Sequence, residues 1–435
     1  MPSSRFLPPV LAVDSAERSA SLLQQGNLLT AAFMLDDAEP LLRQALALAP
    51  ANAGALLGMA NFYERRGTDP AAQMDLAFRA LMVRQDNPAA HKLFALACRA
   101  HGLEPLAVGH LKRCIELAPH DSNAYFHLGL TLLQFGHWEE GWRTYEQRPT
   151  TDAANGYTKP MPPGTREWQG QNLRGKKIVL LGEDGHGDQI QNMRFARKVL
   201  ALEPRELMLD VRPALRRLFV HGLSHLPGGD VVSATSLSEA GPAIDYVLAF
   251  GSMGSRFGAN ADSLSEEIPY LRSAVEPRFR PIAPVRIGIA WRGSPALGSD
   301  RLRSIGLSNF IHMLKRSEGI QWVSLQQGDY QPEEQVILRD HCVETPVRAD
   351  FDFLDTAAVV ADLDLTITVD TSIAHLAGAL GKPVWLLNRA TSEWRWGWKA
   401  ATSPWYPTMR VFNQDRLLDW TQVLRDMRQN LFSLL

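Results

Sequence analysis

Cysteine is scarce: the 435 residues contain three, Cys98, Cys114 and Cys342, too far apart for a CxxC pair or a Cys/His cluster of metal-ligand spacing. That excludes a disulfide framework, and the three read as small core residues of a protein in a reduced compartment, with no metal or cofactor expected. Net charge is nearly as scarce, 45 Lys and Arg against 47 Asp and Glu, so no global basic field exists to collect nucleic acid or an anionic membrane. Any anionic ligand must be met by local chemistry. No apolar run approaches the roughly 20 residues that cross a bilayer. The opening MPSSRFLPPVLAVDSAER breaks its short apolar patch at Pro8 and Pro9, unlike a secretory signal. A cytoplasmic protein without a transmembrane segment is expected, and the length predicts three domains.

Residues 19–148 repeat themselves. Gly26, Gly58, Ala95 and Gly129 fall 32, 37 and 34 residues apart, and two of the second helices end in matching phrases, ALALAP (45–50) and CIELAP (114–119). This is the spacing of a helix-turn-helix solenoid, whose pairs bury their apolar faces only by stacking. The phrase SNAYFHLGLTLLQFGHWEEGWRTYEQ (122–147) resembles a tetratricopeptide repeat, and about four units are in register. Such an array implies a protein partner.

Residues 149–176, rich in Pro, Gly and Asn, read as a linker that ends by packing Trp168 onto the next domain. From 177 the pattern becomes short apolar runs alternating with helical segments: KIVLL (177–181), ELMLDV (206–211), DYVLAF (245–250), RIGIAW (286–291), QWVSLQ (321–326), LTITV (365–369) and PVWLL (383–387). Near-continuous apolar strands with intervening helices predict parallel sheets buried on both faces. The Pro-rich, apolar-poor stretch 272–285 divides the region into two α/β domains, 177–275 and 285–415, followed by a helix over 416–435. A ligand is expected between them, at the carboxyl ends of the strands.

Two strand-to-helix loops carry the chemistry. In TVDTSIAHLAGALGKPVWLL (368–387), Asp370, Thr371 and Ser372 form the turn, Gly381 closes the following helix and Pro383 stops it. The first amides of that helix lack internal partners and carry the positive end of the dipole, so the Thr371-Ser372 turn suits phosphate oxygens, with His375 one turn in as a further donor. Asp370 or Thr371 equally suits a simple helix cap. In LLGEDGHGDQIQNMRFARKVL (180–200), Gly182, Gly185 and Gly187 allow tight turns, and Glu183, Asp184, His186 and Asp188 crowd into six residues. Crowded like charges separate pKa values, a condition useful to a general base; Asp188 also suits an N-cap. A dinucleotide fingerprint starting at Gly185 fails because Ile190 stands where glycine or alanine is needed.

GEDGHGDQIQ followed far downstream by VDTSIAHLAGALGKPVW resembles glycosyltransferase family 9, the lipopolysaccharide heptosyltransferase-like group, in the subset with N-terminal tetratricopeptide repeats. REWQGQNLRGKK (166–177), IGIAWRGSP with DRLRSI (287–305), VSLQQGD (323–329) and WRWGWKAATSPWYPTMRVF (394–412) extend the similarity over 165–415. The resemblance implies a two-domain glycosyltransferase type B (GT-B) fold, an α/β architecture preceded here by the all-α solenoid. It implies a nucleotide-sugar as donor substrate, and by position it makes Asp188 the base that deprotonates an acceptor hydroxyl. It makes Asp370, Thr371, Ser372 and His375 the donor-phosphate motif, and Gln326 or Gln327 the contact to the nucleoside. His186 stands where relatives have an aliphatic residue, which leaves the base open between Asp188 and His186. Gly185, Gly187 and Gln191 belong to the acceptor loop.

Leaving-group charge in such a transfer needs preorganised donors. The helix at Ser372 supplies them without metal, and Arg292 with Arg301 or Arg303 offer guanidinium forks. DFD (350–352) reads as a helix start, and Trp394, Trp396 and Trp398 as core or cleft wall. The predicted reaction is metal-independent inverting transfer to a glycan, lipid-glycan or protein hydroxyl, across a gap that leaves both loops open. Two alternatives stand beside it: a protein O-glycosyltransferase of the repeat-containing GlcNAc-transferase type, and a non-catalytic interaction protein with a degenerate nucleotide-sugar domain.

Overall fold

A computed structural model describes residues 9–149, 164–183, 185–237, 244–266, 268–275, 285–294, 300–310 and 319–432, with side chains from Ser15 onward. Asp184, part of the expected linker and most of the Pro-rich divider lie outside these residues.

Eight helices come first: α1 (Pro9–Ala31), α2 (Leu35–Leu48), α3 (Ala53–Arg66), α4 (Pro70–Val83), α5 (Pro88–Ala100), α6 (Glu104–Leu117), α7 (Ser122–Gln134) and α8 (Trp138–Tyr145). Their starts are written in the sequence. Asn52, Asp69, Asn87 and Asp121 accept hydrogen bonds from amides of the first turns of α3, α4, α5 and α7. The four small residues fall on α1, α3, α5 and α7, and two of them mark close helix approach. A Cβ on Gly26 would lie 2.7 Å from Leu42, and one on Gly58 would lie 2.5 Å from Leu23. Side chains there would drive stacked helices apart.

Two boundaries differ from expectation. Helix α1 begins at Pro9, ten residues ahead of the repeats expected from 19. The first compact unit ends at Phe135, and α8 groups with the second. The reason is Trp142: its Nε1 donates to the Ala259 carbonyl at 2.8 Å, and its ring fills the space a Cβ on Gly254 would take, 2.6 Å away. Trp168 is buried as expected, its amide donating to Val247 at 2.8 Å.

The second unit holds two sheets. The first runs β3-β2-β1-β4 from β1 (Lys177–Leu181), β2 (Glu206–Asp210), β3 (Val232–Ala234) and β4 (Tyr246–Ala249), all parallel. The second runs β6-β5-β7-β8-β10-β9 from β5 (Val285–Ala290), β6 (Ile320–Ser324), β7 (Leu365–Val369), β8 (Val384–Asn388), β9 (Thr402–Ser403) and β10 (Tyr406–Asn413), parallel except for the β9/β10 pair. All seven predicted runs are strands. The C-terminal helix Thr421–Phe432 buries Val423, Met427 and Leu431 in the core of the second sheet. This is the two-sheet α/β architecture of the GT-B fold. Strand order reverses between β1 and β4 in one sheet and between β5 and β7 in the other, and the loops at those points are where such sheets take ligands.

Candidate active site

The loop after β7 enters the helix Ser372–Ala379 through Thr371, the N-cap. Its hydroxyl accepts from the Ile373 amide at 3.3 Å and sits 3.2 Å from the Thr368 hydroxyl, so it is spent on the cap. The amide of Ser372 remains, without an acceptor among the described residues, at the positive end of the helix dipole. Ser372 is half-buried while Asp370, Thr371 and His375 are buried. Small residues let the helix lie close to its sheet: a Cβ on Gly378 would sit 2.4 Å from the Tyr406 ring. Gly381, with φ +71°, ends it through its amide to Gly378 at 3.0 Å.

The loop after β1 enters the helix His186–Asn192 with Gly185 as N-cap. Asp188 is the third helical residue rather than the cap, and its Oδ2 accepts from the Gly185 amide at 3.2 Å. Glu183 is no free acid: it is buried, accepting from Arg148 Nη2 and the Gly251 amide, each at 2.7 Å. His186 stacks on Phe353 with centroids 5.1 Å apart, and burial, reinforced by Arg212, lowers its pKa. Gln191 is buried, its Oε1 without a hydrogen-bond partner among the described residues.

These two helices meet directly. A Cβ on Gly187 would lie 2.7 Å from His375 Cδ2, so glycine permits the contact and the expected open gap is closed. Arg395 completes the junction, pairing through Nη2 with Asp188 Oδ1. Its charge also reaches Asp370, whose carboxyl is pushed up by burial and pulled back chiefly by Arg395. His375 is held well below the ordinary histidine range by burial and then by Arg395, Arg194 and Arg303, so its ring is neutral. Its Nδ1 lies 2.9 Å from the Tyr406 hydroxyl, and Trp396 packs against it at 5.0 Å. Sequence reasoning passed over Arg395. Its only signal was a cation set between Trp394 and Trp396 in a phrase noted for its tryptophans.

The remaining candidates are more committed than their residue types suggested. Arg292 donates to Glu334 at 3.2 Å and to the Asp329 carbonyl at 2.7 Å, so its fork is occupied by protein. Arg303 donates to Asp300 at 3.0 Å and to the Asp370 carbonyl at 2.7 Å, tying the loop after β5 to the one after β7. Gln326 holds that first loop: its Oε1 accepts from the amides of Trp291 (3.2 Å) and Arg292 (3.1 Å). Gln327, half-buried, is the more available of the two glutamines. Asp352 caps the helix Phe353–Ala361, accepting from Leu354 and Asp355 amides, as the helix-start reading of DFD requires.

Known proteins bear on this geometry. The model of glycosyltransferase family 9 (heptosyltransferase) matches residues 322–418, the stretch that carries the Ser372 helix and Arg395. Protein FlbA of Caulobacter vibrioides is 28% identical over 313 residues, covering 66% of this chain and 51% of that protein. The chain thus spans about half the length of that relative. Among solved structures, the tetratricopeptide-repeat protein YrrB is 22% identical over 32% of this chain and 71% of its own, with a TM-score of 0.27. The iron-containing dodecameric glycosyltransferase TibC from enterotoxigenic E. coli is 14% identical over 50% of this chain and 59% of its own, with a TM-score of 0.37. No helix among the described residues is long and apolar enough to cross a membrane. After a helical-repeat unit and one α/β sheet, the chain carries at residues 322–418 a glycosyltransferase family 9 (heptosyltransferase) domain.

Proposed function

We propose that the protein is an inverting glycosyltransferase that uses a nucleotide-sugar and needs no metal. The observation that carries this reading is the junction itself: Asp188, from the first sheet, and the Ser372 helix, from the second, converge on Arg395. Donor diphosphate is taken by the Ser372 amide and by Arg395, which exchanges Asp188 for phosphate. Asp188, released, accepts the proton of the acceptor hydroxyl. That oxygen bonds to the anomeric carbon as the bond to the diphosphate breaks, the electron pair leaves with the phosphate oxygen, and the sugar is inverted. A general base of this kind contributes about 10² to 10⁴ in rate. Asp188 is taken as the base in preference to His186, whose ring is stacked on Phe353. Entry of the donor parts Gly187 from His375.

The test is Asp188→Asn with a panel of nucleotide-sugars, following release of nucleoside diphosphate and the donor-dependent rise in melting temperature. Transfer falls at least 100-fold while the thermal shift persists. Unchanged turnover would remove Asp188 from the mechanism. The ion pair that occupies Asp188 favours a second reading, a sensor that binds the nucleotide-sugar without transfer. Binding by the unsubstituted protein with no turnover on any donor, with acceptors supplied, would select it. The acceptor is a glycan, a lipid-glycan or a protein hydroxyl, the last presented by a partner bound to the repeats.

A further inference from the structure

A cavity of about 280 Å³ opens in the second unit, lined by Arg194, Arg197, His225 and Arg272 and by no Asp or Glu. Tyr406 links it to the junction just described: the ring lies 5.2 Å from the Arg194 guanidinium and the hydroxyl 2.9 Å from His375 Nδ1. The helix Pro213–Ser224 leaves the carboxyl end of β2 and returns toward the amino ends of the strands, and the cavity touches its far end at Leu223, His225 and Leu226. The chain at Tyr270 and Leu271 bonds the carbonyl of Ala379, the last residue of the Ser372 helix. Seven rises of about 1.5 Å put that end about 10 Å from Ser372.

The charge there meets no carboxylate in the cavity lining. Arg194 is completely buried. Its three nitrogens donate to the carbonyls of Gln191 (3.0 Å), Leu264 (2.9 Å) and Trp405 (2.9 Å), while its guanidinium lies over the rings of Tyr270 (4.7 Å), Trp405 (5.0 Å) and Tyr406 (5.2 Å). A buried cation without a carboxylate is costly unless something anionic lies near. Arg197 and Arg272 form no ion pair among the described residues. Their field also acts on His225, whose pKa is lowered by burial and then by Arg272, His221 and Arg197. The cations are not capping helices, because the carbonyls of Ala379 and Leu223 are already taken by backbone amides of Tyr270, Leu271 and Leu226.

We propose that this cavity is a second anion site, separate from the donor site, and that its occupant is a small phosphomonoester. The volume equals about nine waters at ~30 Å³ each, below the ~300 to 1,000 Å³ typical of pockets for drug-sized ligands. It is sized for inorganic phosphate or a sugar phosphate. Guanidinium forks match the phosphate oxygens, and Leu226, Pro269 and Tyr270 offer apolar surface to a carbon skeleton. Because Arg194 and Tyr270 both reach across to the second sheet, an occupant also braces the closed arrangement of the two halves.

Calorimetry on the full chain with inorganic phosphate, glucose 6-phosphate and uncharged glucose tests this. Both phosphates bind saturably and glucose does not; tighter binding of glucose 6-phosphate identifies an organic ligand, equal binding a free phosphate. Arg197→Ala/Arg272→Ala weakens binding at least tenfold, and raising salt weakens it in the unsubstituted protein. Ser372→Pro, in the donor loop, leaves it unchanged. If the double variant unfolds, Arg272→Gln, at an exposed position, replaces it with the same expectation. Absence of saturable binding at millimolar phosphate, indifference to the arginine substitutions, or loss in Ser372→Pro overturns the proposal.

Discussion

Replacing Arg148 by Met leaves Glu183 as a buried carboxylate with no cation. The side chains of Arg148 and Glu183 are 1% and 4% exposed, and Nη2 donates to Glu183 at 2.7 Å and to the Ser252 hydroxyl at 3.0 Å. The pair fastens the loop after β1 to the one after β4, where the first sheet reverses its strand order. Removing one partner of such a pair costs about 3 to 5 kcal/mol, most of it the penalty on the charge left behind. At about 2 °C per kcal/mol for a unit of this size, the melting temperature of the second unit drops by about 6 to 10 °C. Burial raises the Glu183 pKa, and Arg148 is the largest opposing influence, so its loss raises that pKa further. A carboxyl whose folded pKa lies above its unfolded value costs nothing while protonated in both states and destabilises as pH rises past the unfolded value. The deficit of Arg148→Met is therefore large at pH 7 and shrinks toward pH 4. Arg148→Met/Glu183→Gln, which keeps an acceptor for the Gly251 amide, recovers most of the loss. Scanning calorimetry across pH reads all three effects. A single variant costing under about 1 kcal/mol, or a double variant no better than the single, refutes the claim that an unpaired charge is the cause.

Two further predictions concern the junction. Ser372→Pro removes one amide while keeping a residue that the first position of a helix accepts, and Thr371 before it is already extended. Affinity for nucleoside diphosphates falls by about 1.5 to 3 kcal/mol, roughly 10- to 150-fold, with the fold retained; unchanged affinity in titration calorimetry would remove the amide from the site. The neutral, buried His375 must gain its proton on unfolding, so its contribution to stability is present above the unfolded pKa of about 6.5 and is lost as pH falls below it, by up to about 1.4 kcal/mol per unit. Denaturant titrations of the wild type and of His375→Gln from pH 8 to pH 5 diverge by that slope, and parallel curves would show that His375 is charged in the folded state.

Legibility followed the range of the signal. The seven apolar runs were readable as strands because each carries at least three consecutive buried residues; β1, β7 and β8 are buried at every position. Strand β10 escaped because its burial is irregular and Tyr406-Pro407 opens it in a tryptophan-rich phrase, while β3 is three half-buried residues. The small residues at 26, 58 and 95 were readable because stacking needs them at one repeat spacing. The site was readable in its loops and not in its partners. Arg395 stands 207 residues from Asp188, a separation across which no periodicity operates. Arg292 was read as a guanidinium for donor phosphate beside a strand end, and Glu334, 42 residues later, is what folding brings to it.

That difference has a chemical consequence. Each loop that faces the junction is held by an arginine: Arg148 on Glu183, Arg303 on the Asp370 carbonyl, Arg395 on Asp188. The first is deeply buried and Arg303 binds a fixed backbone atom. Arg395 is paired with the most exposed carboxylate of the three sets, 24% for Asp188 against 18% for Glu146 beside Arg148 and 12% for Asp300 beside Arg303. It is the one of the three whose partner a competing anion can replace without uncovering a buried charge. In the proposed reaction, a diphosphate that drew Arg395 away would release the carboxylate at 188 in the same movement that bound the donor, which would make base activation and donor binding one event.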